Sequence, residues 1–391
     1  MIAVSASAPT TLDIRALPGS RETVAYQGGG QFPVLTLATD GTIVAVLRGG
    51  AGHLGLAGRI EVIRSLDAGQ SWSPPAVVAD SEWDDRNPAI GLSPAGTVIL
   101  SYHRTGCYDE QGNYASQRRR DSDVPVEVMV TRSFDDGLTW EQPRTLGVPA
   151  LQTSSPFGKI VTLPDSTLLM ATYGRPREEI VDSRANGIPE GHNCAYLVRS
   201  TDDGATWGNP TLISADEEPG LVALPNGELI VALRRNPPDS GISIRRSADG
   251  GVTWSAPTRI TESGMHPADM IVLADGSVLL TYGNRNPPYR VEGRISEDGG
   301  RTWRDLLFTF SGHLYGYNVT APRRTDLGYP SSVVHPRSRQ GVTMYYYNPS
   351  LPPTGDWRTE ERGVFYRAEN YRAIAMTWSE AELIGAIASR H

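Results

Sequence analysis

The chain has 391 residues, of which 41 are Gly, 29 are Pro and two are Cys, and its formal net charge is −8. An acidic balance argues against a nucleic-acid partner, no run approaches the roughly 20 apolar residues of a membrane helix, and Cys107 and Cys194 close at most one bridge and lack metal-ligand spacing. With no basic, apolar leader at the N-terminus, a soluble cytoplasmic protein is expected; secretion stays open if a leader was removed.

Gly and Pro separate short apolar runs, and no long stretch carries apolar residues at helical spacing, so the expected class is all-β and turn-rich. In chain order, residues 11–27 offer a first strand. The segment Gln-Phe-Pro-Val-Leu-Thr-Leu-Ala-Thr-Asp-Gly at 31–41 then sets a pattern of a Pro, an apolar strand, a tight turn and a second apolar strand. Copies follow around Pro88, Pro156, Pro219, Pro267 and Pro330. Their turns are read at Asp40-Gly41, Ala95-Gly96, Asp165-Ser166, Asn226-Gly227, Asp275-Gly276 and Gln340-Gly341.

A second pattern, Ser-x-Asp-x-Gly-x-Ser/Thr-Trp, lies at 65–72, 133–140, 200–207, 247–254 and 296–303. It reads as a hairpin turn in which Ser and Asp satisfy turn amides, Gly takes a left-handed conformation and Trp returns to the core. Repetition at this spacing, one four-stranded unit per period, predicts a β-propeller. Six Pro-strand units against five boxes imply a single domain over 1–391 with blades near 28–80, 81–148, 149–214, 215–262, 263–310 and 311–378. The sixth box shrinks to Thr377-Trp378, an outer strand from within 11–27 closes the ring, and 379–391 form a short amphipathic helical tail.

Strands alternate in direction within a blade, so both kinds of tight turn fall at one end. The other end collects the residues before the prolines, the ends of the second strands, and the second-to-third loops, which are long at 104–125, 174–193 and 348–363. That mouth therefore holds Phe32, Asn87, Ser155, Glu218, His266 and Tyr329, together with Arg48, Arg104, Arg175, Arg234 and Arg285. A ring of guanidiniums suits carboxylates, the protein's own or a ligand's. Any single Arg in this set is as well explained by local pairing.

The five boxes resemble the Asp-boxes (BNR repeats) of the sialidase, or neuraminidase, superfamily, over nearly the whole chain. The resemblance implies a six-bladed propeller glycoside hydrolase that needs no cofactor. In bacterial sialidases the nucleophile is a Tyr in a segment like Gly-Tyr-Pro-Ser-Ser at 328–332, which implies Tyr329 here. Its partner is a Glu opening the fourth blade, followed a hairpin later by an Arg of a carboxylate-binding trio; Glu218 and Arg234 match. A further trio member is implied at Arg290, with Arg285 a near competitor. Two departures stand out: Gln31-Phe32-Pro33 replaces the family's Arg-Ile-Pro, and no Asp stands where the acid is expected. In the loop at 48–55 the side chain able to exchange a proton is His53, and Asp85 is the second candidate.

A Tyr hydroxyl with a pKa of about 10 needs a base to become a nucleophile, and Glu218 is that base. A neutral nucleophile suits a substrate whose own carboxylate lies beside the anomeric carbon. His53, with an ordinary pKa of about 6.5, is placed to protonate the leaving oxygen. The reading is an exo-acting retaining hydrolase releasing a terminal acidic sugar from an oligosaccharide or glycoconjugate. Arg234, Arg285, Arg290, Arg48, Asn87 and His266 are the expected binding residues. The alternatives are a polysaccharide lyase acting on a uronate and a non-catalytic carbohydrate-binding propeller, in which Tyr329 packs, His53 is merely satisfied and Glu218 neutralises Arg234. The run Arg118-Arg119-Arg120 reads as a solvated face, and Trp83 and Trp357 as loop tryptophans able to stack on a sugar or to pack.

Overall fold

The computed structural model describes residues 10–120, 124–147, 154–177, 181–314, 326–349 and 368–390. Six small antiparallel sheets form the blades of a propeller. Blade one comprises Gln31–Leu37, Ile43–Gly49, Arg59–Ser65 and Ala76–Ala79; blade two comprises Asp84–Leu92, Val98–Thr105, Val126–Ser133 and Arg144–Leu146. The first strand of blade three is broken: Ser155–Pro156 and Val161–Thr162 pair with Leu168–Gly174, while Gly158–Lys159 between them pairs in parallel with blade two. Cys194–Ser200 and Gly208–Ser214 complete that blade. Blade four runs Glu217–Ala223, Leu229–Arg234, Ile242–Ser247 and Thr258–Arg259; blade five runs Met265–Val272, Val278–Asn284, Arg290–Ser296 and Leu306–Thr309.

Blade six closes the ring with strands from both ends of the chain. Leu327–Val334, Gln340–Tyr347 and Arg372–Ser379 are joined by Arg21–Gln27, which lies antiparallel on Arg372–Ser379 with Val24 opposite Ile374. A second N-terminal strand, Thr10–Asp13, runs parallel to Leu306–Thr309 and adds a fifth strand to blade five. The N-terminal segment thus clasps two blades rather than one.

The apolar runs follow from the pleat. Successive side chains on a strand face opposite sides of the sheet, and in a propeller both sides are buried against neighbouring blades. On Ile43–Gly49, Val44 and Val46 pack with blade-two residues such as Ile90 and Leu100, while Ile43, Ala45 and Leu47 pack with Val342 and Met344 of blade six. Each seam between adjacent blades holds one such cluster. Near the axis, Lys159 Nζ meets both oxygens of Asp269 at 2.5 and 2.6 Å, and Asp269 accepts from Ser332 N at 2.8 Å, so three blades are braced across the centre.

The boxes form the expected turns. In the third, Gly204 N donates to Ser200 Oγ at 3.0 Å and Thr206 N to Asp202 Oδ1 at 2.8 Å, with Gly204 at φ +74°. The turn read at Gln340-Gly341 is corrected. The hairpin bends at residues 336–339, and Gln340 and Gly341 already lie in the second strand. Gly341 is needed there for packing, because a Cβ would stand 2.3 Å from the Trp378 indole. Trp378 is fully buried and lies on the third strand rather than in a turn. Beyond it, Ser379 caps the helix Glu380–Ala388, whose Leu383 and Ile387 pack into the seam of blades five and six. No helix of the described residues is long and apolar enough to cross a membrane.

Candidate active site

Four blades present a side chain to the mouth by the same local distortion. Phe32, Asn87, Glu218 and Tyr329, each immediately before a Pro, have φ of +54, +49, +47 and +45°. At each of them the pairing with the second strand slips, between Gln31 and Val34, Arg86 and Ala89, Glu217 and Gly220, and Gly328 and Ser331. A bulge takes one residue out of the ladder and re-aims its side chain, and Pro supplies no N–H for the ladder to miss. At Tyr329 the approach is tightest. Gly328 has φ +104°, and a Cβ on it would stand 2.9 Å from Gly283 Cα of blade five.

The bulges bring Tyr329 and Glu218 together from blades six and four. The Tyr329 hydroxyl donates to Glu218 Oε1, and Glu218 Oε2 accepts from Arg234 Nη1 at 3.1 Å. Arg234 Nε is 3.4 Å from Glu217 Oε1, so two carboxylates balance this guanidinium. Arg285 lies 5.6 Å over the Tyr329 ring and donates to Leu327 O at 3.3 Å. His266 Nδ1 is 3.8 Å from Glu218 Oε2, too far for a hydrogen bond, and is buried with no hydrogen-bond partner among the described residues. Burial, then the Glu218 charge, hold the Tyr329 hydroxyl well above its ordinary pKa, opposed by Arg285. Burial and the Arg285 and Arg234 charges push His266 well below the ordinary histidine value.

Across the mouth, Phe32 immediately precedes Pro33 at the start of blade one, where Gln31 takes the place of the arginine in Arg-Ile-Pro. Its ring packs edge-on to His53 at 5.0 Å, Tyr329 at 4.9 Å and Tyr346 at 5.6 Å. His53 Nδ1 is 3.0 Å from Asp326 Oδ1. Arg86 caps the other side of Phe32, its guanidinium 5.5 Å from the ring centre and 3.6 Å from Asp84 Oδ2. Sequence reasoning passed over Arg86, Glu217 and Asp326, though the first two were legible as the residues opening a bulge beside Asn87 and Glu218.

Other expected residues lie apart from this centre. Arg48, expected to bind substrate, is fully buried, paired with Asp84, and donates to Gly52 O at 2.8 Å and Gly55 O at 3.1 Å. It shapes the loop that carries His53 and has no surface to offer a ligand. Asp85 is likewise buried, accepting from Arg104 Nε at 3.1 Å and Ser81 N at 2.9 Å, on the strand face opposite to Asp84. Burial raises its pKa. Asn87 donates to Ser155 Oγ at 3.2 Å, and Arg290 donates to Glu292 Oε1 at 2.6 Å, one strand out from Arg285. Arg118 donates to Tyr108 O at 2.5 Å, whereas the side chains of Arg119 and Arg120 and all of Trp357 lie outside the described residues. Trp83 packs on Gly106, where a Cβ would meet its ring at 2.8 Å. Among the described residues no three His, Cys, Asp or Glu side chains are grouped to hold a metal ion.

Comparison with solved structures gives the same architecture at low sequence identity. A protein of unknown function from Dyadobacter fermentans matches with a TM-score of 0.70 at 19% identity, over 93% of this chain and 100% of its own. A Hadza microbial sialidase matches at 0.62 and 18%, over 90% of this chain and 66% of its own. The Trypanosoma rangeli sialidase matches at 0.66 and 13%, over 95% and 61%. The chain thus spans less than two thirds of either sialidase, and at these identities the likeness is one of fold. The family model for the BNR repeat-like domain matches residues 41–342, most of the six-bladed ring, and the chain belongs to that family.

Proposed function

We propose that the protein is an exo-acting retaining glycoside hydrolase that releases a terminal acidic sugar, with Tyr329 as nucleophile and Glu218 as its base. The observation that carries this reading is the half-buried hydrogen bond from the Tyr329 hydroxyl to the Glu218 carboxylate. A propeller that only bound sugars would not need these two side chains to meet. As the Tyr329 oxygen bonds to the anomeric carbon, its proton passes to Glu218 and the bond to the leaving oxygen breaks. In the second step water displaces the Tyr329 oxygen, which takes its proton back from Glu218, and the anomeric configuration is retained. Arg285, over the Tyr329 ring, favours the negative charge that develops on the phenol oxygen. In this reading Arg234 and Arg285 hold the substrate carboxylate. A solved structure of similar fold, the Trypanosoma rangeli sialidase, is in complex with sialic acid, which supports an acidic sugar.

A panel of aryl glycosides of sialic, other ulosonic, uronic and neutral sugars tests this. An acidic glycoside should be hydrolysed with retention, and Tyr329→Phe should lower kcat by at least about 1,000-fold. Turnover of neutral sugars alone would overturn the acidic assignment, and an unsaturated product would indicate elimination instead of hydrolysis.

A further inference from the structure

The Tyr329 and Glu218 pair accounts for the nucleophile but leaves the leaving group without a proton source. His53 is a titratable side chain on the opposite wall, and what lies behind it is specific. Asp326, immediately before the first strand of blade six, has its side chain only 5% exposed. Its Oδ1 lies 3.0 Å from His53 Nδ1 and accepts from the Tyr346 hydroxyl at 2.7 Å, while its Oδ2 accepts from the Tyr371 hydroxyl. The same Tyr346 ring lies 5.8 Å from Tyr329, and Phe32 packs edge-on to both His53 and Tyr329. The two halves of the site therefore share walls.

We infer that Asp326 is a positioning residue that fixes His53 with its Nδ1 proton directed into blade six, which makes Nε2 the atom that exchanges protons with the substrate. This rests on the hydrolase reading given above. In the first step protonated Nε2 gives its proton to the leaving oxygen as the glycosidic bond breaks, and Nδ1–H stays on Asp326. In the second step neutral Nε2 takes a proton from the attacking water, which restores the imidazolium. Tyr346 and Tyr371 hold the carboxylate in place without taking its charge.

The electrostatics have a definite sign. Burial lowers the His53 pKa, Asp326 raises it, and Arg86 from blade two and Arg285 from blade five lower it, with a net shift downward. Asp326 is brought down to about 2, against the effect of burial, by His53, Arg285 and the Tyr371 hydrogen bond. Removing the Asp326 charge should therefore lower the His53 pKa further. Removing the Tyr371 hydroxyl, whose hydrogen bond to Oδ2 weakens the carboxylate's pull on the imidazolium, should raise it.

Long-range proton–nitrogen NMR spectra of the seven histidines, with His53→Gln to assign its ring, test this without any substrate. Neutral His53 in the intact protein should carry its proton on Nδ1. Its titration midpoint should fall by at least about one pH unit in Asp326→Asn and rise by a few tenths in Tyr371→Phe. The alkaline limb of kcat on a glycoside with a poor leaving group should move in the same two directions, with KM little changed. A neutral ring protonated on Nε2, or a midpoint that moves with neither substitution in folded protein, would overturn the inference. If the variants fail to fold, the wild-type tautomer alone decides. If no glycoside is turned over, the hydrolase reading fails while the His53 titration still tests Asp326.

Discussion

Arg234 lies between two roles, and the difference is measurable. It bonds Glu218 at 3.1 Å and approaches Glu217 at 3.4 Å, so its charge is balanced before any substrate arrives. A planar fork can still grip a substrate carboxylate through two parallel hydrogen bonds, which a lysine ammonium cannot. Arg234→Lys should keep the fold and lower kcat/KM on an acidic glycoside roughly 30- to 1,000-fold, about 2 to 4 kcal/mol. Loss of thermal stability with normal turnover in the folded fraction would assign Arg234 to a structural ion pair alone. Meeting partners such as Glu218 and Tyr329 were legible because each opens an innermost strand before a Pro. Arg48 illustrates the limit, since the sequence places it at a strand end near the mouth but cannot show that Asp84, from the next blade, draws it into the interior.

The recurring element is the bulge before each proline, and its cost is local strain. A non-glycine residue at positive φ is disfavoured by about 1 to 2 kcal/mol, yet Phe32, Asn87, Glu218 and Tyr329 all adopt it. The packed blades on both sides impose it, which is why the repeated Pro pattern was readable while the swing of the preceding side chain was not. Asp326 was missed for a related reason: it precedes the strand, outside both repeats, and meets His53 only when blade six closes on blade one. At Gly328 the bulge also needs bare backbone against Gly283. Gly328→Ala should destabilise the protein by about 2 to 4 kcal/mol and displace Tyr329, so activity should fall even in the folded fraction. Calorimetry and kinetics of that variant give the check, and an unchanged Tm with full activity would show that the close approach is dispensable.

At the scale of the whole molecule the ring is closed by pairing distant ends of the chain. Arg21–Gln27 supplies the outer strand of blade six and Thr10–Asp13 a fifth strand on blade five. Deleting residues 1–27 would bare the edge of Arg372–Ser379, and an open strand edge invites aggregation. The truncated protein should lose on the order of 10 °C in Tm or fail to stay monodisperse, as calorimetry and light scattering would show. Six blades were legible because the repeats are local, whereas the division of the N-terminal segment between two blades depends on contacts hundreds of residues apart. The same closure completes the mouth, where Tyr329 of blade six faces Glu218 of blade four and Phe32 of blade one. The most direct test of that arrangement is to trap the reaction halfway, using a fluorinated acidic glycoside with a good leaving group, and to map the modified peptide by mass spectrometry. The expected result is one sugar attached to Tyr329 and none in Glu218→Gln over the same time. An adduct on another residue, or hydrolysis that continues undiminished in Tyr329→Phe, would contradict the assignment of Tyr329 as nucleophile.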